Sequence, residues 1–132
     1  MGLYSYECLG CGHPMLSEHA VSRNGVNEWM QNVVIIHPKK GVVAAGYYDG
    51  YGRTPEVDDV EYARKGGGPM YVLGWNKKTE KGTDACWHRN CWEVAGRPGF
   101  TRASERARDQ GFFFDDGDHD IADPMEADSG SR

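Results

Sequence analysis

The sequence predicts a small α+β fold: an antiparallel sheet centred on one β-hairpin, with two short helices. Three observations lead there. A β-branched run, Val33-Val34-Ile35-Ile36-His37, is followed by Pro38-Lys39-Lys40-Gly41 and a return run from Val42 to Tyr48, the pattern of a hairpin. A later stretch, Asp84 to Ala95, opens on a capping acid and stops at Gly96 and Pro98, the pattern of a helix. Finally, the 132 residues include only four Leu, three Ile, ten Val and four Phe, against 18 Gly and four Cys. That is lean in aliphatics for a core of this size, so aromatic packing and a staple have to compensate.

The other elements follow in chain order. Tyr4 to Glu7 reads as a short strand leading into Cys8-Leu9-Gly10-Cys11-Gly12. His13 to Asn27 has no clean period and reads as a loop around the body, with a helical turn near Ser17 to Ala20. Asp49 to Gly68, rich in Gly, Pro and charge, reads mainly as loop. Met70 to Trp75 is a third strand, Asn76 to Gly82 a polar turn, and Arg102 to Gln110 a second helix between Thr101 and Gly111. Phe112-Phe113-Phe114 reads as a last core anchor. Residues 115–132 then carry seven acids and one base, whereas residues 1–114 carry 13 acids and 14 bases. The division is a folded domain over 1–114 and an acidic, flexible tail over 115–132.

Composition and ends exclude several classes. The longest aliphatic runs are far too short to cross a bilayer. Met1 to Gly10 has no basic region followed by an apolar stretch, so no secretory signal is read. Position 6 is Tyr where a myristoylation signal needs Ser or Thr. The expectation is an intracellular protein of cytoplasm or nucleus, with no membrane partner. In a reducing compartment, four cysteines suit thiolate ligation better than two disulfides.

The cysteines carry the chemistry. Cys8-x-x-Cys11-Gly12 has the form of a zinc knuckle, in which two thiolates three residues apart converge on one ion while Gly10 and Gly12 let the backbone turn tightly. The second half is Cys86-Trp87-His88-Arg89-Asn90-Cys91-Trp92. At the opening of a helix, His88 and Cys91 stand at i and i+3, neighbours on one face. Cys86 and Cys91 are five apart, about 140° around a helix, and share an ion only if Cys86 precedes the first turn. The candidate ligands are therefore Cys8, Cys11, His88 and Cys91 around one structural Zn²⁺, with Cys86 as the alternative to His88. Either set has four protein ligands and no place for water. Trp87 and Trp92 flank the site and read as its seal. The rival reading, a Cys8–Cys11 redox pair, lacks the βαβ pattern that accompanies one.

A knuckle, then hairpin strands, then a helix that supplies the second ligand pair resembles the treble-clef zinc finger. Trp87-His88-x-x-Cys91-Trp92 resembles the aromatic-His-x-x-Cys-aromatic half-site of LIM domains and of poly(ADP-ribose) polymerase-type fingers. The resemblance covers roughly ten residues around the ligands and implies their ligand roles and local geometry. It implies no family function. The interval between Cys11 and His88 is 76 residues, longer than in those fingers, and no cysteine follows Cys91 to begin a second site.

Other motifs have bland readings. His13, His19, His37 and Asp49 are scattered, and no catalytic residue is assigned. Tyr47-Tyr48-Asp49-Gly50-Tyr51 reads as core packing, with Tyr47 and Tyr48 on opposite faces of a strand. Arg64-Lys65-Gly66-Gly67-Gly68 lacks the order of a phosphate-binding loop. Asp116, Asp118 and Asp120 lack the Gly and Glu that a calcium loop needs further on. The resulting expectation is a non-catalytic zinc-binding module with a protein partner, engaged through the tyrosine-rich strand or the acidic tail. The alternatives are a nucleic-acid-binding finger using Arg53, Lys77, Lys78, Lys81 and the tyrosines, and a small metal-dependent enzyme.

Overall fold

The computed structural model describes residues 6–65, 67–76, 78, 81–100 and 121–125. Among them are seven strands, β1 (Asn32–His37), β2 (Gly41–Tyr47), β3 (Arg53–Pro55), β4 (Met70–Val72), β5 (Trp75–Asn76), β6 (Lys81–Gly82) and β7 (Ala85–His88), and one helix, α1 (Arg89–Val94). The strands form a three-stranded antiparallel sheet of order β2–β1–β7 and two small pairs, β3–β4 and β5–β6. The α+β class with a hairpin-centred sheet is as the sequence predicts.

β1 is the middle strand, which explains its unbroken apolar run: a strand covered on both faces needs apolar residues at every position. Val33 and Ile35 face a cluster with Tyr6, Met15, Ala44, Tyr48, Leu73 and Cys86. Val34 and Ile36 face the other, with Cys8, Ala45, Ala85, Trp87, Cys91 and Trp92. The β1–β2 turn is closed by the His37 ring, whose Nδ1 accepts from the backbone N–H of Lys39 (3.0 Å) and Lys40 (3.2 Å). Gly41, at φ +79°, takes a conformation that side chains disfavour. Further along β2, Gly46 lets another strand of chain cross it. Its φ is +136°, and a Cβ there would fall 2.1 Å from the Arg64 carbonyl oxygen.

Several elements differ from the sequence reading. Ala85 to His88 is a strand, and the helix begins only at Arg89. Asp84 is no helix cap. Its carboxylate accepts from the Gly74 N–H (2.6 Å) and the Tyr71 hydroxyl (3.0 Å), while Ala85 to His88 pair with Val33 to Ile36. Sheet pairing thus overrides the local helix signal. At the other end the helix stops as read, with Gly96 at φ +89°. The stretch 49–68 contains β3 and a 3₁₀ turn at Val60–Tyr62, and the strand expected over Met70 to Trp75 breaks at Leu73-Gly74. Of the first expected strand, only a single bridge, Glu7 to Pro14, occurs among the described residues. A helical turn does form at Glu18–Ala20. The helix expected over Arg102 to Gln110, the Phe112–Phe114 anchor and the Asp116–Asp120 motif lie outside the described residues, as does most of the acidic segment. Among the described residues, no helix is long and apolar enough to cross a membrane.

Candidate metal centre

Two separate pieces of chain build the site. The first is a tight turn: Cys8 N–H donates to His13 O (2.8 Å), Gly12 N–H to Cys8 O (2.9 Å) and Met15 N–H to Tyr6 O (2.8 Å). Gly12, at φ +78°, permits the reversal. Gly10 permits the approach to the second piece, since a Cβ there would lie 2.9 Å from the Cys91 Cβ and 3.1 Å from the Trp87 ring. The second piece is the β7–α1 junction. His88 ends the strand and caps the helix, and Cys91 follows in the first turn. The i, i+3 neighbourhood read from the sequence survives, with His88 supplying it from the cap position.

Cys8, Cys11, His88 and Cys91 are brought together, their candidate ligand atoms all within 4.8 Å of one another. The His88 Nδ1 lies 3.2 Å from the Cys11 sulfur and 3.8 Å from that of Cys91. A tetrahedral zinc with ordinary Zn–S and Zn–N bonds has ligand–ligand edges of roughly 3.5–3.8 Å, so the spacing fits. The surroundings fit as well. His88 is wholly buried, and its Nε2 lies 2.8 Å from the Pro14 carbonyl oxygen. A carbonyl only accepts, so Nε2 carries a hydrogen and Nδ1 is the nitrogen turned to the sulfurs. The Cys8 sulfur accepts backbone N–H bonds from Gly10 and His88, each at 3.2 Å. These are the contacts of a sulfur that carries charge.

Titration behaviour follows from this packing. Burial alone would raise the Cys8 thiol, but hydrogen bonds from Cys11, Cys91 and His88 outweigh it and hold Cys8 well below the ordinary thiol range. Burial would lower His88, yet the thiol partners Cys11 and Cys8 push it up to about 10. Cys91 is driven up by its bonds to Cys11 and Cys8 and by burial. The packing thus favours charge on the Cys8 sulfur and on the His88 ring, and a cation held by the four groups would take the place of their protons.

Cys86 is not part of this group. It is buried on the other face of the sheet with Val33 and Ile35, its thiol 3.8 Å from the Asp84 carbonyl oxygen, and burial raises it well above the usual thiol range. Trp87 and Trp92 pack in the same cluster as Cys8 and Cys91, as their flanking positions suggest. Two neighbours escaped the sequence reading. One is the Pro14 carbonyl, which fixes the His88 ring. The other is Trp29, whose ring meets that of His88 edge-on at 5.0 Å between centroids. No spacing rule marks either, because Pro14 follows the knuckle turn and Trp29 lies in a 3₁₀ turn at Glu28–Gln31, and only the fold brings them to His88.

Of the remaining candidates, His19, Tyr47, Tyr48, Asp49 and Arg53 line one open cavity, but among the described residues only Cys8, Cys11, His88 and Cys91 group as potential metal ligands. Arg53 is paired with Asp49 (2.6 Å), and Lys77 lies outside the described residues. Tyr48 is core, its hydroxyl accepting from Gly52 N–H (3.1 Å), while the half-buried Tyr47 donates to Glu28 (3.2 Å). Arg64 closes its own glycine-rich loop by donating to the carbonyls of Gly67, Glu56 and Pro69. No protein-family model matches the chain, and neither a curated protein nor a solved structure is detectably similar to it.

Proposed function

We propose that the protein is a non-catalytic zinc-binding module of treble-clef type that works through protein–protein interaction. The observation that carries the metal reading is the convergence of three thiols and one imidazole nitrogen within 4.8 Å, with the other ring nitrogen already held by Pro14. A thiolate-rich tetrahedral set suits zinc among the common divalent ions. With four protein donors no position remains for water or substrate, the arrangement of a structural site. The treble-clef reading is supported by element order: the Cys8–Cys11 turn, the β1–β2 hairpin, then α1 with the second pair. Zinc at this point would join residues about 80 apart in a chain short of aliphatics. Such sites have apparent binding energies of about 10–16 kcal/mol. Interaction as the role is supported by the four-donor set, which leaves no open coordination position.

Metal content of the purified, untagged protein, followed by cobalt substitution, tests the reading. The expected result is one zinc per chain and a tetrahedral cobalt spectrum with three thiolate charge-transfer contributions, unchanged in Cys86→Ala. A folded protein with no metal overturns the zinc reading. An exchangeable water on the cobalt would favour an enzyme instead, and salt-dependent retention on DNA or RNA a nucleic-acid finger.

A further inference from the structure

Among the described residues, two hydrogen-bonded contacts join the acidic segment to the body. The Trp29 Nε1–H donates to the Ile121 carbonyl (3.2 Å), 92 residues away. The Asn90 side-chain amide donates to both carboxylate oxygens of Asp123, at 2.8 and 2.9 Å. The same carboxylate accepts the Met125 N–H (2.9 Å), which shapes the segment into a turn around Asp123. No ion pair joins Asp123 to a cation among the described residues. Its partners are neutral donors at fixed positions, which select geometry rather than bulk charge.

Both anchors belong to the cysteine–histidine cluster's immediate surroundings. Asn90 stands between His88 and Cys91 in the first turn of α1. Trp29 packs edge-on against the His88 ring. Whatever fixes His88 and Cys91 therefore also fixes the two donors that receive Ile121 and Asp123.

We infer that Ile121–Met125 is a built-in ligand of the face made by Trp29 and Asn90, and that its docking and metal retention at the cluster reinforce one another. The second part rests on the reading of the cluster as a metal site. Binding coupling is reciprocal: if the bound metal orders Trp29 and Asn90 for the segment, the docked segment slows loss of the metal. A peptide that offers a carbonyl and, two residues on, an aspartate is the chemistry this face accepts, and the chain supplies its own.

The test uses the full-length, zinc-loaded protein. Zinc transfer to an excess of a chromophoric chelator is timed, and the Trp29 indole N–H is followed by NMR. Asp123→Ala and Asn90→Asp are expected to speed zinc transfer about five- to tenfold, at the low end of couplings between sites, and to shift the indole signal. The exchanged pair Asn90→Asp with Asp123→Asn restores the amide–carboxylate contact with donor and acceptor reversed, and should return both readouts toward wild type. Transfer from Asp123→Ala at the wild-type rate overturns the coupling, and an unmoved indole signal overturns the docking. An indole shift that depends on protein concentration overturns docking within one chain. If the wild-type protein holds no zinc, the metal reading fails by itself, and the indole signal of Asp123→Ala still decides the docking.

Discussion

The two faces of the β2–β1–β7 sheet each bury cysteine, and they use it differently. On one face Cys86 sits among Val33, Ile35, Met15 and Tyr48, a small apolar side chain whose thiol stays protonated because burial disfavours its charge. On the other, Cys8 and Cys91 lie among Val34, Ile36, Trp87 and Trp92, and the Cys8 sulfur accepts two backbone N–H bonds. The difference lies in directed donors rather than in burial, because Cys8 and Cys86 are similarly hidden, at 2% and 5% exposure. Burial makes a thiol inert, whereas burial with N–H groups and an imidazole aimed at the sulfur favours the thiolate, the form that can act as a ligand.

Substitutions on the two faces sharpen this contrast. The largest effect is expected from Cys91→Ala on the cluster face. It should abolish stoichiometric zinc and with it most of about 10–16 kcal/mol of apparent binding energy, leaving a protein without dispersed NMR signals. A well-folded Cys91→Ala variant would mean that apolar packing alone carries both faces. Next is Ile35→Ala, which empties the centre of the opposite face. A loss of about 2–5 kcal/mol is expected by denaturant unfolding, with zinc content still one per chain. Loss of zinc in that variant would show that the faces do not act separately.

Cys86→Ala should be milder, about 1 kcal/mol, again with full metal content. A drop in zinc would bring Cys86 back as a ligand. The smallest effect belongs to the outer surface of α1, where Glu93 pairs with Arg97 (2.8 Å) and Arg89 (3.2 Å). Hydrogen bonding to Arg97 holds the Glu93 carboxyl below its ordinary value against a weaker opposing effect of burial, and the charges of both arginines add to the lowering. Its contribution is therefore present above the unfolded carboxyl pKa of 4.5 and lost as pH falls through the lower folded value. Glu93→Gln should be slightly less stable than wild type at pH 7, with the difference shrinking as the pH is lowered below 4.5, measured as thermal midpoints. A difference that does not shrink on acidification would assign Glu93 a packing role.

Much of the site could be read locally. Cys8-x-x-Cys11 with its glycines, and His88-x-x-Cys91, are spacings whose geometry follows from short stretches of backbone, and the tertiary fold brings those two pairs together. The β1–β2 hairpin was equally legible, because a β-branched run, a Pro-to-Gly turn and a second run constrain one another within about 16 residues. The start of the helix was not. Asp84 looks like a cap until Gly74 and Tyr71 claim its carboxylate, and neither partner is marked by anything near residue 84. β3 was missed for a related reason: Arg53–Pro55 has no strand pattern, and it forms because β4 pairs with it.

The sequence by itself therefore determined the candidate ligand pairs, the hairpin and the stop of α1 at Gly96, because each depends on covalent spacing or on the backbone freedom of a few neighbouring residues. The tertiary structure decided which of His88 and Cys86 joins the cluster. Pairing with β1 continues the strand to His88 and puts Cys86 in the Val33–Ile35 core. It also decided which nitrogen of His88 faces the sulfurs, through a carbonyl 74 residues away at Pro14. Long-range hydrogen bonds of this kind leave no trace in local spacing, since their partners meet only when the sheet has formed.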